Sequence, residues 1–243
     1  MGKVYLTGAG PGDPKLITVR GMETIQLADV LIYDRLVSEH LLKLAPANTE
    51  KIFVGKEPGC HHKKQEEIQA LLVEKAMQGK LVTRLKGGDP FIFGRGGEEA
   101  VYLQQVGIPF EVVPGISSFS AVPAYAGIPI THRHKAASFT VIPGHHCEEN
   151  ALQIDWEASC QSDTLVILMG MRRFDWIHQQ LMAYKPPSTP IALIQQGTTV
   201  EQRVVEGDLG TIMDRLAAQP LQNPVVIVVG EVVRLRQEML WYK

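Results

Sequence analysis

Between Arg84 and Glu99 the chain reads RLKGGDPFIFGRGGEE, with five glycines, a proline and both charge signs, at the end of the apolar run 81–85. A short apolar run bounded by glycines reads as a buried strand. A polar, glycine-rich loop at the carboxyl end of a strand is where open α/β sheets place their ligands. Glycine lets the backbone come close to a ligand and take φ angles that other residues resist. Gly87, Gly88 and Asp89 would offer amides and a carboxylate, Pro90 to Phe93 an apolar wall, and Arg95 and Glu98 a charged rim. A loop without function can be glycine-rich, but Phe-Ile-Phe between glycines is an exposed liability unless it covers or contacts something.

The flanking pattern repeats the same alternation. Val4 to Thr7 reads as a strand that breaks into GAGPGDP, followed by a helix from about Thr18 to Ala28 and a strand from Val30 to Tyr33 ending at Asp34. A strand–helix–strand order of this kind implies a parallel sheet. A short helix (38–44), a strand (51–54), an amphipathic helix over 65–78 with Gly79 as its C-cap, the strand 81–85, a helix from about Glu98 to Val106 and a strand from Phe110 to Val113 complete a first unit. Glycines after the first strand and an acid at position 34 suggest a dinucleotide fold, but Asp13 stands where that fingerprint needs a small residue and Pro11 has no N–H to give a pyrophosphate. That assignment, and a dehydrogenase with it, fails at the loop.

PGISS (114–118) reads as the hinge to a second unit. Strands are expected over 138–143, 164–168, 191–195, 202–206 and 224–229, with helices over 119–126, 174–183 and 209–218, and 145–162 shows no clear pattern. The expectation is therefore α/β, two α/β domains, residues 1–114 and 115–243, with strand-end loops converging on a cleft.

Bulk properties remove several classes. With a net charge of −2, no chain-wide basic excess argues for nucleic acid. No apolar run approaches the length of a membrane span, and the amino terminus lacks the pattern of a signal peptide. Cys60, Cys147 and Cys160 are odd in number and lack CxxC spacing, so neither a disulfide framework nor a zinc site is indicated. His61-His62 and His145-His146 are consecutive, and neighbours in an extended strand point to opposite faces; no CxxC or HExxH pattern supports these or His132/His134 as metal ligands. A cytoplasmic protein without a metal is expected.

GAGPGD (8–13), YDRLV (33–37), GK (55–56), QEEI (65–68), RLKGGDPFIFGRGGEE (84–99), VVPGISS (112–118), PITHR (129–133), LMGM (168–171) and QQGTT (195–199) together resemble the tetrapyrrole methyltransferase family over essentially the whole chain. Within it the strings are most similar to members that methylate uroporphyrinogen III, in their stand-alone form. The resemblance implies the class III methyltransferase fold, a homodimer, and S-adenosylmethionine bound in the interdomain cleft and released as S-adenosylhomocysteine. It implies two successive methylations of uroporphyrinogen III to precorrin-2 by way of precorrin-1, feeding sirohaem, cobalamin or haem d1. Carried over, the cofactor contacts are Pro11, Gly87, Gly88, Asp89, Ile92, Ser117, Ser118, Met169 and Gly197. Relatives often have Thr-Ala where Ser117-Ser118 stand, which favours backbone contacts there, and Met169 could instead be core packing at a strand end.

Uroporphyrinogen carries carboxylates, which guanidinium groups suit. Arg95 and Arg133 are the substrate-binding candidates, with Glu98 to orient Arg95 or meet a pyrrole N–H, and Arg35 and His132 behind them. Asp34 is the family's candidate proton acceptor and Lys56 its donor, with Arg95 a rival for the catalytic role. Asp34 could instead brace a loop, and Lys56 could pair with a substrate carboxylate. Two other classes stay open at this point: a methyltransferase for a later corrin intermediate, and a non-enzymatic cofactor- or tetrapyrrole-binding regulator.

Overall fold

The computed structural model describes residues 2–55, 65–144 and 153–242. These form two compact units, Met1–Ser117 and Ser118–Lys243.

In the first unit, β1 (Lys3–Gly8), β2 (Val30–Tyr33), β3 (Glu50–Phe53), β4 (Leu81–Lys86) and β5 (Phe110–Val113) form one wholly parallel sheet in the order β3-β2-β4-β1-β5. The connections are α1 (Val19–Gln26), α2 (Glu39–Leu42), α3 (Gln65–Met77) and α4 (Gly96–Gln105). Both faces of such a sheet are covered, so its strands need apolar residues at odd and even positions alike. Val4, Leu6, Ile32 and Val82 meet Leu72, Ala76 and Leu103 on one face, while Leu31 and Leu85 meet Ile25 and Leu41 on the other. Thr18 accepts from Gly21 N as the N-cap of α1. A buried hydroxyl chain ties that helix to the sheet: Thr24 Oγ1 lies 3.0 Å from Thr7 Oγ1, and Thr83 Oγ1 donates to Thr24 O at 2.7 Å.

The order matters at the sheet centre. The chain leaves β1, fills the positions on the β3 side, then returns to lay β4 directly beside β1, in register from Lys3↔Leu81 to Gly8↔Lys86. Two strands whose connections depart in different directions leave a crevice at their carboxyl ends. The loops after Gly8 and after Lys86 therefore emerge side by side.

The second unit holds β6 (Phe139–Pro143), β7 (Thr164–Leu168), β8 (Pro190–Gln195), β9 (Arg203–Asp208) and β10 (Val225–Val229) in the order β6-β7-β10-β8-β9. Only β6 and β7 run parallel; β10 is antiparallel to β7 and to β8, and β8 and β9 make an antiparallel pair. Around it lie α5 (Ser118–Tyr125), α6 (Trp156–Cys160), α7 (Phe174–Tyr184) and α8 (Ile212–Ala218). Leu165, Ile167, Leu193 and Ile227 pack with Ile177 and Leu181 on one face, and Val166, Ile194, Val226 and Val228 with Val122 and Ala126 on the other.

The structure moves some expected boundaries. β9 continues to Asp208, and α8 begins at Ile212 because Thr211 Oγ1 and the Asp208 backbone bond each other across the turn. Residues 156–160, inside the unpatterned stretch, form α6, capped by Asp155, whose carboxylate accepts from Ala158 N at 2.9 Å. A 3-10 helix, Glu231–Glu238, follows the last strand. Leu72 is fully buried in α3 against the parallel sheet. Leu72→Ala is expected to lower stability by about 2–5 kcal/mol, read as a fall in the denaturation midpoint at unchanged slope.

Candidate active site

Three backbone segments of the first unit meet at the carboxyl ends of β1, β4 and β5 too closely for side chains. A Cβ on Gly8 would lie 2.5 Å from Gly115 Cα, and one on Gly115 would lie 2.3 Å from Gly88 O. Gly10 and Gly88 exchange backbone hydrogen bonds, Gly88 N to Gly10 O at 2.7 Å and Gly10 N to Gly88 O at 3.1 Å. Gly88 has φ +69°, in the left-handed region that suits glycine. Asp89 fastens the third segment: Oδ1 accepts from Phe91 N at 2.8 Å and Oδ2 from Gly115 N at 3.0 Å. Asp89 was expected to offer a carboxylate to a ligand; both oxygens also receive backbone amides, so the residue shapes the loop.

The loop that follows is held under tension. Phe93 (φ +52°) and Arg95 (φ +59°) are left-handed without being glycine, and such residues persist only where their surroundings over-determine them. Gly94 and Gly96 have no room for a Cβ, each lying within 3 Å of Pro90 O. The outcome is that Phe91, Ile92 and Phe93 stand exposed in sequence, beside an Arg95 whose Nε and Nη2 donate to the two oxygens of Glu98 at 2.8 and 2.7 Å. Hydrogen bonding to Arg95 holds the Glu98 carboxyl below the usual carboxylate range. The pair is bidentate, and it joins Arg95 to the residue expected either to orient it or to meet a pyrrole N–H.

Asp34, at the end of β2, is gripped from beneath. Arg84 Nη2 donates to Asp34 Oδ1 at 2.7 Å, and Arg84 Nε to Glu99 Oε1 at 3.3 Å. Lys86 Nζ also reaches Glu99 Oε1, at 3.0 Å. Arg84, Lys86 and Glu99 are buried. Burial and the neighbouring Arg84 push the Lys86 ammonium below its ordinary value. For Arg84 burial works the same way, but the Asp34 and Glu99 carboxylates outweigh it and hold the guanidinium above its ordinary value. None of these three was expected as a site residue. A signal was available: cations at alternate positions of β4 share one face of a strand buried on both sides, where each needs a partner.

In the second unit the strand ends are again where the backbone is strained. Met169 (φ +58°), Gln196 (φ +46°) and Thr198 (φ +69°) are left-handed after β7 and β8. A Cβ on Gly197 would lie 2.3 Å from Val122 Cγ1. Gln202 braces this turn, accepting from Thr198 N at 2.9 Å and donating to Tyr125 O at 3.1 Å. Met169 is exposed, which removes the alternative of simple core packing. Pro11 is half-buried in the bend after β1, Ser117 is buried and Ser118 opens α5. Arg133 and Arg35 are exposed in turns. His132 Nδ1 accepts from His134 N at 3.3 Å.

Lys56 lies outside the described residues, as do His61-His62, His145-His146, Cys60 and Cys147. Among the described residues no three His, Cys, Asp or Glu side chains group so as to hold a metal ion. Among them, too, no helix is long and apolar enough to cross a membrane.

Residues 3–213 match the family of Tetrapyrrole (Corrin/Porphyrin) Methylases. A uroporphyrinogen-III C-methyltransferase of Priestia megaterium is 54% identical over 235 residues, which is 96% of this chain and 99% of that protein. One from Methanocaldococcus jannaschii is 52% identical over 237 residues, covering 96% of this chain and 98% of the relative. The crystal structure of uroporphyrin-III C-methyl transferase from Thermus thermophilus complexed with S-adenosyl homocysteine superposes with a TM-score of 0.83 at 40% identity, over 96% of this chain and 100% of that one.

Gly115→Ala tests the close approach at the glycine junction. The added methyl has only backbone to push against, so a loss of about 1–3 kcal/mol is expected in chemical denaturation. A variant as stable as the parent would show that the three segments have room to part.

Proposed function

The chain belongs to the tetrapyrrole (corrin/porphyrin) methylases, and from that premise we propose that it methylates uroporphyrinogen III twice, through precorrin-1, to precorrin-2, with S-adenosylmethionine as methyl donor. The observation that carries this reading is the glycine junction of β1, β4 and β5, with Asp34, Arg95 and Glu98 on the strand-end loops of the same unit. The donor supplies an electrophilic methyl on a sulfonium. What remains for the protein is to bind, orient and exclude water.

The candidate cofactor residues are of kinds suited to holding such a donor. Backbone at Gly87 and Gly88 can come close to an amino-acid or ribose group because no side chains intervene, and Pro11 would add its carbonyl. Asp89 keeps lone pairs beyond the two amides it accepts. Ile92 and Met169, both exposed, offer soft apolar surface for a purine ring. Ser117, Ser118 and Gly197 would contribute mainly backbone.

Arg95 and Arg133 would receive substrate carboxylates, with Glu98 fixing the Arg95 plane or meeting a pyrrole N–H. Each methylation forms a carbon–carbon bond from the ring's own electron pair and leaves the ring cationic, so a carbon-bound proton must depart. Asp34 is the acceptor favoured here, because it is the group presented at a strand end with a buried cation behind it. Lys56 would return a proton or pair with a carboxylate. Arg95 can stabilise developing charge on the ring. A homodimer, which rests on the family alone, and a cytoplasmic setting are part of the same proposal.

The test is an anaerobic incubation of the protein with S-adenosylmethionine and freshly generated uroporphyrinogen III, followed by mass. A gain of two methyl groups with release of S-adenosylhomocysteine is expected. Tight donor binding with no methyl gain would move the acceptor to a later corrin intermediate, or make the protein a binding module. Asp34→Asn is expected to lower turnover by about 10²–10⁴ with substrate still bound. Near-normal turnover would remove Asp34 from the chemistry.

A further inference from the structure

Arg84, Lys86 and Glu99 carry three charges into the interior of the first unit, and a need for stability does not account for them. Replacing a buried ion pair by apolar side chains of similar volume is commonly neutral or favourable. Val82, two residues before Arg84 on the same face of β4, is buried among apolar side chains. Position 84 is held by an arginine instead, and the arginine reaches out of the core at one end only.

The guanidinium spends its nitrogens on three different acceptors. Nη2 donates to Asp34 Oδ1 at 2.7 Å, Nε to Glu99 Oε1 at 3.3 Å and Nη1 to the Leu85 carbonyl at 3.4 Å. Three acceptors in different directions fix both the position and the plane of the group. A lysine, with one nitrogen on a flexible stem, has the charge but not the fork. Glu99 in turn sits in the first turn of α4, where the helix amides favour a carboxylate. Its Oε1 also takes Lys86 Nζ at 3.0 Å and Gln65 Nε2 at 3.2 Å, while Oε2 has no hydrogen-bond partner among the described residues. The Arg84 side chain is 2% exposed and that of Glu99 0%, against 31% for Asp34. Two positive and two negative groups thus form a neutral chain whose solvent-facing end is the candidate proton acceptor.

We propose that Arg84 is the positioning residue for Asp34, and that Glu99 and Lys86 hold Arg84 in place. Lys86 gives Glu99 a second cation, so Arg84 is shared between the two carboxylates rather than drawn wholly to the buried one. Asp34 is then aimed by the sheet itself, since Arg84 stands on the neighbouring strand at the residue paired with Ile32. The inference rests on the catalytic reading of Asp34 above.

The test is a mutant cycle read by single-turnover methyl transfer, with thermal unfolding and S-adenosylhomocysteine affinity measured on every variant. Arg84→Lys keeps the charge and is expected to lower the methyl-transfer rate on the order of 10²-fold, the scale of loss for a misplaced reacting group, with KM and cofactor affinity near the parent values. Glu99→Gln, close in shape and linked to Asp34 only through the Arg84 guanidinium, is expected to reduce the rate in the same sense. In the Asp34→Asn background both substitutions should cost less than about two-fold, because residues that act through one group are not additive. Equal losses in the two backgrounds, or Arg84→Lys at the parent rate while Asp34→Asn is crippled, overturn the positioning role and leave the Asp34 reading standing. If Asp34→Asn itself turns over normally, the Asp34 reading fails first and this inference with it. Should Arg84→Lys not fold, Glu99→Gln carries the cycle alone.

Discussion

No side chain fits where the chain leaves β1, β4 and β5 of the first unit. Gly8, Gly88 and Gly115 touch backbone to backbone, and everything at that end of the sheet is built out from the contact. It requires β1 and β4 to be neighbours in register, which the strand order supplies, and it requires Asp89 to hold the segment after β5 through the Gly115 amide. Once those three segments are pinned, the exposed Phe91–Phe93 stretch and the Arg95–Glu98 fork have nowhere else to go. The left-handed backbone at Phe93 and Arg95 is the strain that results, and the Gly96 N–H to Pro90 O bond at 2.9 Å helps hold the turn that contains it. Strain of this kind, of order 1–3 kcal/mol per residue, survives where the surroundings dictate it.

Much of this was legible in the residues. Periodicity placed β1, β2 and β4 because strands buried on both faces leave apolar runs that end at polar or glycine-rich loops, while the edge strand β3 is shorter and half charged. The RLKGGDPFIFGRGGEE stretch announced itself for the same reason that it is strained: exposed aromatics between glycines have no bland explanation. The second sheet was less transparent. Its strands could be found, but their directions could not, because whether β10 runs against β7 and β8 depends on where the chain crosses and not on any local pattern. α6 is five residues long and polar on its outside, too short to show a helical period.

Arg84, Lys86 and Glu99 were passed over for a different reason. Charges beside a glycine loop read naturally as a solvated rim, and Glu99 adjoins Glu98, which is on the surface. The alternation rule would have separated them: residues 84 and 86 lie on the face that carries Val82, and that face is covered by α3 and α4. A cation there must find its anion on one of those helices or at the end of a neighbouring strand, as Arg84 does on Glu99 and Asp34. What the sequence could not supply was which anion, since that depends on the rotation of α4 about its axis. That rotation starts from Arg95, whose left-handed conformation precedes the first helical residue.

The buried charges also give the first unit an unusual response to temperature. The free energy of hydrating an ion becomes less favourable on warming, so the cost of keeping Arg84, Lys86 and Glu99 dry falls as the solvent heats, while the gain from burying apolar surface levels off. The sheet around Leu72 and Leu6 therefore contributes a stabilisation that flattens with heat, and the charge chain beneath Asp34 one whose penalty shrinks.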